Sequence, residues 1–258
     1  MSYDSQDILR TFAEKHGIEF PLLSDQGSHE MRRLGLLNER VQEDHAVYGI
    51  QANPRHEGLP YPGVFVLDEA GIITSKRFHE SYRERDTGAT LIASTLGLLE
   101  PADGTVATAV DNVVRLRAWL DSPTYRFFQR IHLNVEVAVA PGSHVYGSPA
   151  SEGLVPLAVE LAPLDGVEIG AVTWPAPHPF RPEGLTFEQL IHEGVVRGSL
   201  PLTFSGAPGA GDRLVRVTIR YQACNESSCF PPTSAQLELP VSEVALVDRS
   251  LPTSAAKP

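Results

Sequence analysis

Residues 213–241 read RLVRVTIRYQACNESSCFPPTSAQLELPV, and this stretch decides how the second half of the chain folds. Polar and apolar residues alternate over Arg213–Tyr221 and again over Ala235–Val241, as they do in strands with one buried face. The four residues between Cys224 and Cys229 are turn formers of hairpin length. We therefore predict a hairpin that carries the two cysteines opposite each other at its mouth.

Cys224 and Cys229 are the two cysteines of this 258-residue chain. Cross-strand neighbours have Cβ atoms about 4.5–5.5 Å apart and a disulfide needs about 3.5–4.5 Å, so the bond requires slight closure of the ladder. A disulfide stabilises chiefly by closing a loop in the unfolded chain, and a loop this short gains little. The pair therefore favours a reversible dithiol/disulfide. A structural staple is the alternative, and a zinc site is the third interpretation, although four ligands are usual.

The stretch around the pair resembles the active-site hairpin of the N-terminal, immunoglobulin-like domain of the DsbD thiol:disulfide interchange proteins. The resemblance covers roughly residues 124–247 and includes, in the expected order, HVYG at 144–147, WPAP at 174–177 and SLPLTF at 199–204. It implies a β-sandwich that carries electrons from a membrane partner to periplasmic oxidoreductases. In that family the later cysteine forms the mixed disulfide with downstream partners, which implies this role for Cys229.

The same resemblance implies an aromatic cap over the cysteine pair. The corresponding segment here is residues 177–190, PHPFRPEGLTFEQL, which is punctuated by prolines and carries Phe180 and Phe187. A hydrophobic cap shields reduced thiols from stray oxidants and opens when a partner docks. We assign the cap to Phe187, and the alternative is that either phenylalanine is an ordinary core residue.

Three other side chains are candidates to support the pair. Tyr146 and Tyr221 are expected near the cysteines, although a buried tyrosine is more often a hydrogen-bonded core residue. His192, which Glu193 follows, is a candidate to help deprotonate an attacking thiol by proximity. Each of the three therefore has a purely structural alternative.

The first half of the chain resembles another family. The segments SYDSQDILRTFAEKHGIEFPLLSD at 2–25, YGI at 48–50 and LPYPGVFVLDEAGIIT at 59–74 resemble the C-terminal two-thirds of an AhpC/TSA-type peroxiredoxin, a thioredoxin-fold protein. The resemblance covers roughly residues 2–97 and implies that Pro62 is the cis-proline of that fold. The pattern also predicts helices over 5–16 and 28–37, the second with Ser28 as its N-cap.

The family's first strand, its cysteine-bearing helix and its next strand have no counterpart in this sequence. Residues 1–223 contain no cysteine, so a peroxidatic thiolate is not available there and peroxidase activity is not expected. We expect an incomplete chain, with a natural remnant that acts as a docking module as the alternative. The strand over Val64–Leu67 is then expected to leave an apolar edge exposed.

Composition excludes several classes of function. The net charge of −11 argues against nucleic-acid binding, because no basic cluster is present to neutralise phosphates. No run of 18 or more apolar residues is present and residues 2–7, SYDSQD, do not read as a signal peptide. Nine histidines are scattered without metal-binding spacing, so we predict neither a metal nor a cofactor. The compartment, cytoplasmic or periplasmic, is left open.

These patterns predict an α/β part followed by an all-β part. We expect a partial thioredoxin-like, peroxiredoxin-like domain over residues 1–97, a linker over 98–123, an immunoglobulin-like β-sandwich over 124–247 and a flexible tail over 248–258. The first functional hypothesis is a thiol:disulfide oxidoreductase module whose partners are thiol or disulfide proteins, either thioredoxin-like or a membrane electron donor. The second is a non-enzymatic β-sandwich interaction module with a structural disulfide and a degenerate redoxin half.

Overall fold

The structure, a computed structural model, describes residues 1–47, 51, 53–54, 57–79, 85–88, 90–92, 106–181, 188–206, 209, 211–225 and 227–244. The described chain divides into two units, one within residues 1–85 and one within 86–246. The first unit has three helices, α1 (Gln6–His16), α2 (His29–Arg33) and α3 (Val41–Val47). It also has two antiparallel strands, β1 (Gly63–Leu67) and β2 (Ile73–Phe78).

The remaining strands follow in chain order, and those from β4 onward build the second unit. They are β3 (Arg85–Asp86), β4 (Ala107–Val110), β5 (Val114–Leu120), β6 (Thr124–Tyr125), β7 (Gln129–Val139), β8 (Ser143–Tyr146), β9 (Ala158–Leu161), β10 (Val167–Ile169), β11 (His178–Phe180), β12 (Gln189–His192), β13 (Val195–Phe204), β14 (Arg213–Tyr221), β15 (Ala223–Asn225) and β16 (Thr233–Glu243).

The second unit is an immunoglobulin-like β-sandwich. One sheet has the strand order β10–β13–β7–β5–β4, a second β6–β16–β14–β9, and a smaller third β11–β12–β8–β15. Strands β6 and β16 pair in parallel, whereas the neighbouring pairs along β7, β13 and β14 are antiparallel. The predicted sandwich is therefore confirmed.

The core of the sandwich is the set of side chains that period-two alternation turns inward. In β14 the inward side chains Val215, Val217, Ile219 and Tyr221 are all at most 2% exposed, as the alternation of RLVRVTIRY predicts. They pack in one apolar cluster with inward residues of the facing strands, including Leu116, Leu133, Val135, Leu200, Leu202 and Leu239. Val145 of β8 and Tyr221 at the end of β14 belong to this core, so it fixes the two strands next to the cysteine pair.

Part of the predicted linker, residues 98–123, is instead structured. Residues 107–120 contain β4 and β5, and β5 pairs with β7 over seven residues, from Val114 opposite Val139 to Leu120 opposite Leu133. The reason is visible in VRLRAWL at 114–120, where apolar residues point inward and Arg115 and Arg117 point outward. The linker prediction was therefore wrong for these residues. Residues 98–105 and the predicted tail, 248–258, lie outside the described residues.

The first helix follows the sequence prediction closely. Ser5 caps α1 by accepting the backbone N–H of Ile8, and Gly17 ends the helix in the left-handed conformation that glycine adopts at little cost. Leu9 is buried, whereas the apolar side chains of Ile8 and Phe12 in the same helix are about half exposed. The apolar stripe of α1 is therefore only partly covered.

The second helix is shorter than predicted and is capped differently. The pattern predicted a helix over 28–37 with Ser28 as its side-chain cap, whereas α2 spans His29–Arg33 and Ser28 makes no capping hydrogen bond. The carboxylate of Asp25 instead accepts the backbone N–H groups of Glu30 and Met31, which lowers the pKa of Asp25. Ser28 has a positive φ and donates its hydroxyl to the carbonyl of Gly58, so its side chain is not available for the cap.

The assignment of Pro62 as a cis-proline was wrong. Within the described residues the cis peptide bond is Ser148–Pro149, and the bond before Pro62 is trans. A trans bond is the lower-energy isomer where the surroundings do not select cis. Here Pro62 leads directly into β1, and its carbonyl accepts the backbone N–H of His79 beyond β2. The thioredoxin-like fold of this part stays a prediction.

Candidate redox site

The two cysteines lie in an excursion between β14 and β16. These strands pair as predicted, up to Tyr221 opposite Thr233. The intervening chain then leaves their ladder, and β15 pairs with β8 of the third sheet. The predicted position at the mouth of the β14–β16 hairpin is therefore corrected. Pro231 and Pro232 have no backbone N–H to continue the ladder, which favours this departure.

Within the excursion, a tight turn places the cysteines opposite each other. The side-chain oxygen of Asn225 accepts the backbone N–H groups of Ser227 and Ser228, at 3.0 and 2.9 Å. The backbone N–H of Asn225 donates to the carbonyl of Ser228, and that of Phe230 donates to Ala223. Such asparagine turns stabilise short reversals. The predicted cross-strand placement of the two cysteines is confirmed.

Cys224 and Cys229 form a disulfide, with an S–S distance of 2.08 Å and Cα atoms 4.0 Å apart. Their surroundings differ sharply. Cys224 is 1% exposed, whereas Cys229 is an exposed residue. Of the two half-cystines, Cys229 is therefore the one on the solvent side, where a partner thiolate would arrive.

Tyr146, at the end of β8, contacts both sulfurs. Its hydroxyl lies 3.1 Å from Cys224 Sγ and 3.4 Å from Cys229 Sγ. Tyr146 is 5% exposed, and burial raises the pKa of its phenol. The hydroxyl therefore stays protonated near neutral pH and is a hydrogen-bond donor for a sulfur atom. The expected proximity of Tyr146 to the cysteines is observed.

Tyr221 is directed elsewhere. Its ring lies in the main sandwich core, and its hydroxyl donates to the carboxylate of Asp111. Burial and this hydrogen bond both raise the pKa of Tyr221. Burial alone raises the pKa of Asp111, but the hydrogen bonds from Tyr221, Val113 and Val114 outweigh it and lower the pKa. Tyr221 therefore binds the turn between β4 and β5. Of the two tyrosines, Tyr146 is the one that contacts the sulfurs.

A small buried cluster surrounds Cys224, separate from the main core. Tyr146, Ile191 and Cys224 form it, and Ala150, Leu154 and Phe180 pack against it. Phe180 belongs to β11, which pairs with β12, so the sheet itself positions this aromatic ring. Phe187, the residue favoured as the cap, lies outside the described residues. Phe180 is therefore the aromatic residue of the 177–190 segment that the structure places at the site.

His192 is buried but belongs to the other face of this sheet. It pairs with Val145, whose side chain points into the main core, while the neighbouring pair is Ile191 opposite Tyr146. Burial, together with the nearby His178, lowers the pKa of His192. The strand alternation therefore does not direct His192 at the cysteines.

His144, for which the sequence predicted no role, lies directly opposite Cys224 in the β8–β15 ladder. Its ring is 4.9 Å from that of Phe180 and 5.5 Å from that of Tyr146. The signal was present in HVYG, because alternation puts His144 and Tyr146 on the same face of one strand.

The part of the chain that the structure describes meets the requirements of neither a metal site nor a membrane-spanning helix. No group of three or more histidine, cysteine, aspartate or glutamate side chains there has the arrangement of a metal site. No helix in the described ranges is both long enough and apolar enough to cross a membrane.

Comparisons with known proteins confirm both family resemblances. Residues 123–240 match the family "Thiol:disulfide interchange protein DsbD, N-terminal", and residues 1–76 match the AhpC/TSA family. No curated protein matches the chain at significant similarity.

Two solved structures resemble part of the chain. The N-terminal periplasmic domain of ScsB from Proteus mirabilis is 17% identical with a TM-score of 0.39, and the match covers 51% of this chain and 49% of that one. The chain thus spans about half the length of the ScsB structure. The reduced DsbD N-terminal domain of Neisseria meningitidis is also 17% identical, with a TM-score of 0.32, over 57% of this chain and 94% of that one.

Proposed function

We propose that this chain exchanges electrons with thiol or disulfide partner proteins through Cys224 and Cys229. The observation that carries the proposal is the unequal exposure of the two half-cystines, with Cys224 buried and Cys229 an exposed residue. A stapling disulfide gains nothing from such asymmetry. A thiol:disulfide exchanger requires this asymmetry, because one sulfur forms the mixed disulfide with the partner and the other sulfur resolves it. The match of residues 123–240 to the DsbD N-terminal family supports the same conclusion.

The exchange begins when a partner thiolate attacks the sulfur of Cys229. The Cys224–Cys229 bond breaks, a mixed disulfide forms between the partner and Cys229, and the electron pair leaves on the sulfur of Cys224. A second partner thiol then displaces Cys229, which leaves the chain as a dithiol and the partner as a disulfide. In the opposite direction Cys229 attacks a partner disulfide and Cys224 resolves the intermediate.

Tyr146 supports this chemistry as a hydrogen-bond donor. Its hydroxyl is 3.1 Å from the sulfur that carries the leaving electron pair, that of Cys224. A hydrogen bond to an ionised group is stronger than one to a neutral group. The contact therefore stabilises the Cys224 thiolate more than it stabilises the disulfide, and it favours departure of that sulfur.

Phe180 is our proposed cap residue. It packs against the cluster that contains Cys224 and Tyr146, and its position is fixed by the pairing of β11 with β12. An apolar ring there limits the access of small thiols and oxidants. The ring thus closes the Cys224 side of the disulfide, and a docking partner that engages Cys229 displaces the segment. The role first assigned to Phe187 stays a prediction.

The AhpC/TSA-like half takes no direct part in the proposed exchange. Residues 1–223 contain no cysteine, so any thiol chemistry of this chain passes through the pair in the sandwich. We infer that this half is an attached docking module, and peroxidase activity is not expected from it. The partners we propose are thioredoxin-like proteins or a membrane electron donor.

The alternative is a β-sandwich interaction module in which the disulfide only staples a turn. The two half-cystines are five positions apart, so the bond closes a very short loop and restricts the unfolded chain little. The turn is already held by the hydrogen bonds of Asn225. Both facts argue against a staple.

The reduction potential of the pair separates the two functions. We expect a value between about −120 and −270 mV, the range of thiol:disulfide exchangers, after equilibration of the full chain with glutathione or dithiothreitol buffers. A value below about −300 mV is typical of structural disulfides and would overturn the proposed function.

A further inference from the structure

His144 and Cys224 face each other across the β8–β15 ladder. The register pairs Cys224 with His144, Ala223 with Val145 and Asn225 with Ser143. Residues directly opposite in an antiparallel pair project to the same side, with Cβ atoms about 4.5–5.5 Å apart. The side chains of His144 and Cys224 are therefore neighbours on one side of the sheet. Both residues are buried, at 6% and 1% exposure.

The surroundings of His144 keep its imidazole neutral and away from water. Phe180 packs on it with ring centroids 4.9 Å apart, and the ring of Tyr146 meets it in a T-shaped arrangement at 5.5 Å. Burial lowers the pKa of His144, the carboxylate of Glu193 opposes this shift, and His178 adds to it. Glu193 is itself bound to His178 at 3.2 Å. A neutral imidazole in such a site is a base.

We propose that His144 is the acid–base group of Cys224, and this inference rests on the proposed function. In the mixed disulfide between Cys229 and a partner, the Cys224 thiol gives its proton to His144 and the resulting thiolate attacks the sulfur of Cys229. The Cys224–Cys229 bond forms, the bond to the partner breaks, and the electron pair leaves on the partner's sulfur. The imidazolium returns the proton to that thiolate or to water. The chain's dithiol is oxidised and the partner disulfide is reduced.

The other ionisable groups at the site do not fit this role. The pKa of Tyr146 is raised by burial, so its phenol donates a hydrogen bond but does not accept a proton near neutral pH. His192 pairs with Val145 and belongs to the opposite face of the sheet. His178 is about half exposed and engaged by Glu193. His144 alone among these groups is placed opposite the buried sulfur.

The resolving step can be observed with a chromogenic disulfide. The reduced full chain is mixed with 5,5′-dithiobis(2-nitrobenzoate), and stopped-flow absorbance follows a first thionitrobenzoate released by Cys229 and a second released when Cys224 resolves. The rate of the second release is measured between pH 5.5 and 9. For an unassisted thiol of pKa about 8.5 this rate rises about tenfold per pH unit up to that value. With His144 as the base, the wild-type rate is level between about pH 7 and 8, because the proton acceptor is already neutral.

His144→Gln removes the base and keeps a polar side chain of similar length. We expect the plateau to disappear and the second release at pH 7 to slow by at least about tenfold, within the range of general-base effects. His144→Tyr keeps a ring against Phe180 and is expected to give the same loss. His132→Gln, a change at a half-buried histidine of β7, is the matched control and retains the wild-type profile.

The possible results are separable. A wild-type profile that climbs steadily through pH 7–8 overturns the role of His144 without any variant, and so do variants with the wild-type plateau. Either result leaves the proposed exchange function intact if both thionitrobenzoate equivalents are still released. A reduced wild-type chain that releases no second equivalent contradicts the proposed function itself, and the role of His144 fails with it.

Discussion

The hydroxyl of Tyr146 lies 3.1 Å from the buried sulfur of Cys224. In the reduced protein this contact becomes a hydrogen bond to a thiolate, worth about 1.5–3 kcal/mol for a charged acceptor. One pKa unit corresponds to about 1.4 kcal/mol. We therefore predict that Tyr146→Phe raises the pKa of the Cys224 thiol by about one unit or more, measured from the thiolate absorbance at 240 nm.

Tyr221→Phe is the matched control for this prediction. It also removes one phenolic hydroxyl from the sandwich, but that hydroxyl is bound to Asp111 and not to a sulfur. Its thiol pKa is expected to equal that of the wild type. Equal shifts in the two variants would show that the effect comes from a general change in the sandwich rather than from the contact with Cys224.

The two cysteines of the reduced chain are expected to react at very different rates. Cys224 is 1% exposed, while Cys229 is open to solvent, so iodoacetamide should alkylate Cys229 at least about tenfold faster. Peptide mapping by mass spectrometry after timed quenching identifies the modified residue. Comparable rates for both thiols would contradict the assignment of Cys229 as the partner-facing sulfur.

The same asymmetry predicts which variant traps a partner. Cys224→Ala removes the resolving thiol and leaves Cys229 exposed, so a mixed disulfide with a thioredoxin-like protein is expected to accumulate. Cys229→Ala leaves only the buried sulfur and is expected to trap little. Non-reducing electrophoresis measures both. A stronger band from Cys229→Ala than from Cys224→Ala would reverse the assigned roles.

Phe180→Ala tests the cap. The ring packs against the cluster that contains Cys224, so its removal is expected to open the site. Reduction of the disulfide by dithiothreitol should accelerate by about threefold or more, because access limits thiol–disulfide exchange. Phe127→Ala, which removes a half-buried ring packed on Phe128, is the control and should leave the rate unchanged. Equal rates in the two variants would argue that Phe180 does not shield the pair.

Sequence patterns predicted the elements that are determined by interactions between residues close together in the chain. The alternation in RLVRVTIRY located β14 to the residue, because one face of that strand is buried throughout. The helix predicted over residues 5–16 likewise matches α1 to within one residue at each end. The same reasoning failed at Ser28, since the cap of α2 comes from Asp25, outside the expected capping position.

The site itself depends on contacts between residues far apart in the chain. Cys224 is 80 positions from its strand partner His144, and 78 separate it from Tyr146. The local sequence pattern does not determine which strand pairs with the cysteine segment, and it does not determine the register of that pairing. The resemblance to a known domain therefore located Tyr146, whereas His144 became a candidate only when the β8–β15 pairing placed it opposite the sulfur.

The final prediction concerns the stability of the sandwich. Glu136 in β7 lies between Arg117 of β5 and Arg197 of β13, its cross-strand partners, at 3.1 and 2.8 Å. Burial alone raises the pKa of Glu136, but the hydrogen bonds from the two arginines outweigh it and lower the pKa below its ordinary value. Glu136→Gln should lower the free energy of unfolding at pH 7 by about 2 kcal/mol, because it removes the buried carboxylate that accepts hydrogen bonds from both arginines.

The pH dependence fixes the cause of that loss. A carboxyl with a lowered folded-state pKa binds fewer protons when folded, so its stabilisation is complete above the unfolded value of 4.5 and disappears as pH falls through the folded pKa. Urea unfolding should therefore show wild type and Glu136→Gln converging on acidification below pH 4.5. Glu238→Gln, which breaks an exposed pair with Arg216, should cost at most about 0.5 kcal/mol at pH 7. A gap between wild type and Glu136→Gln that persists unchanged at low pH would show that packing, not the ionised carboxylate, accounts for the loss.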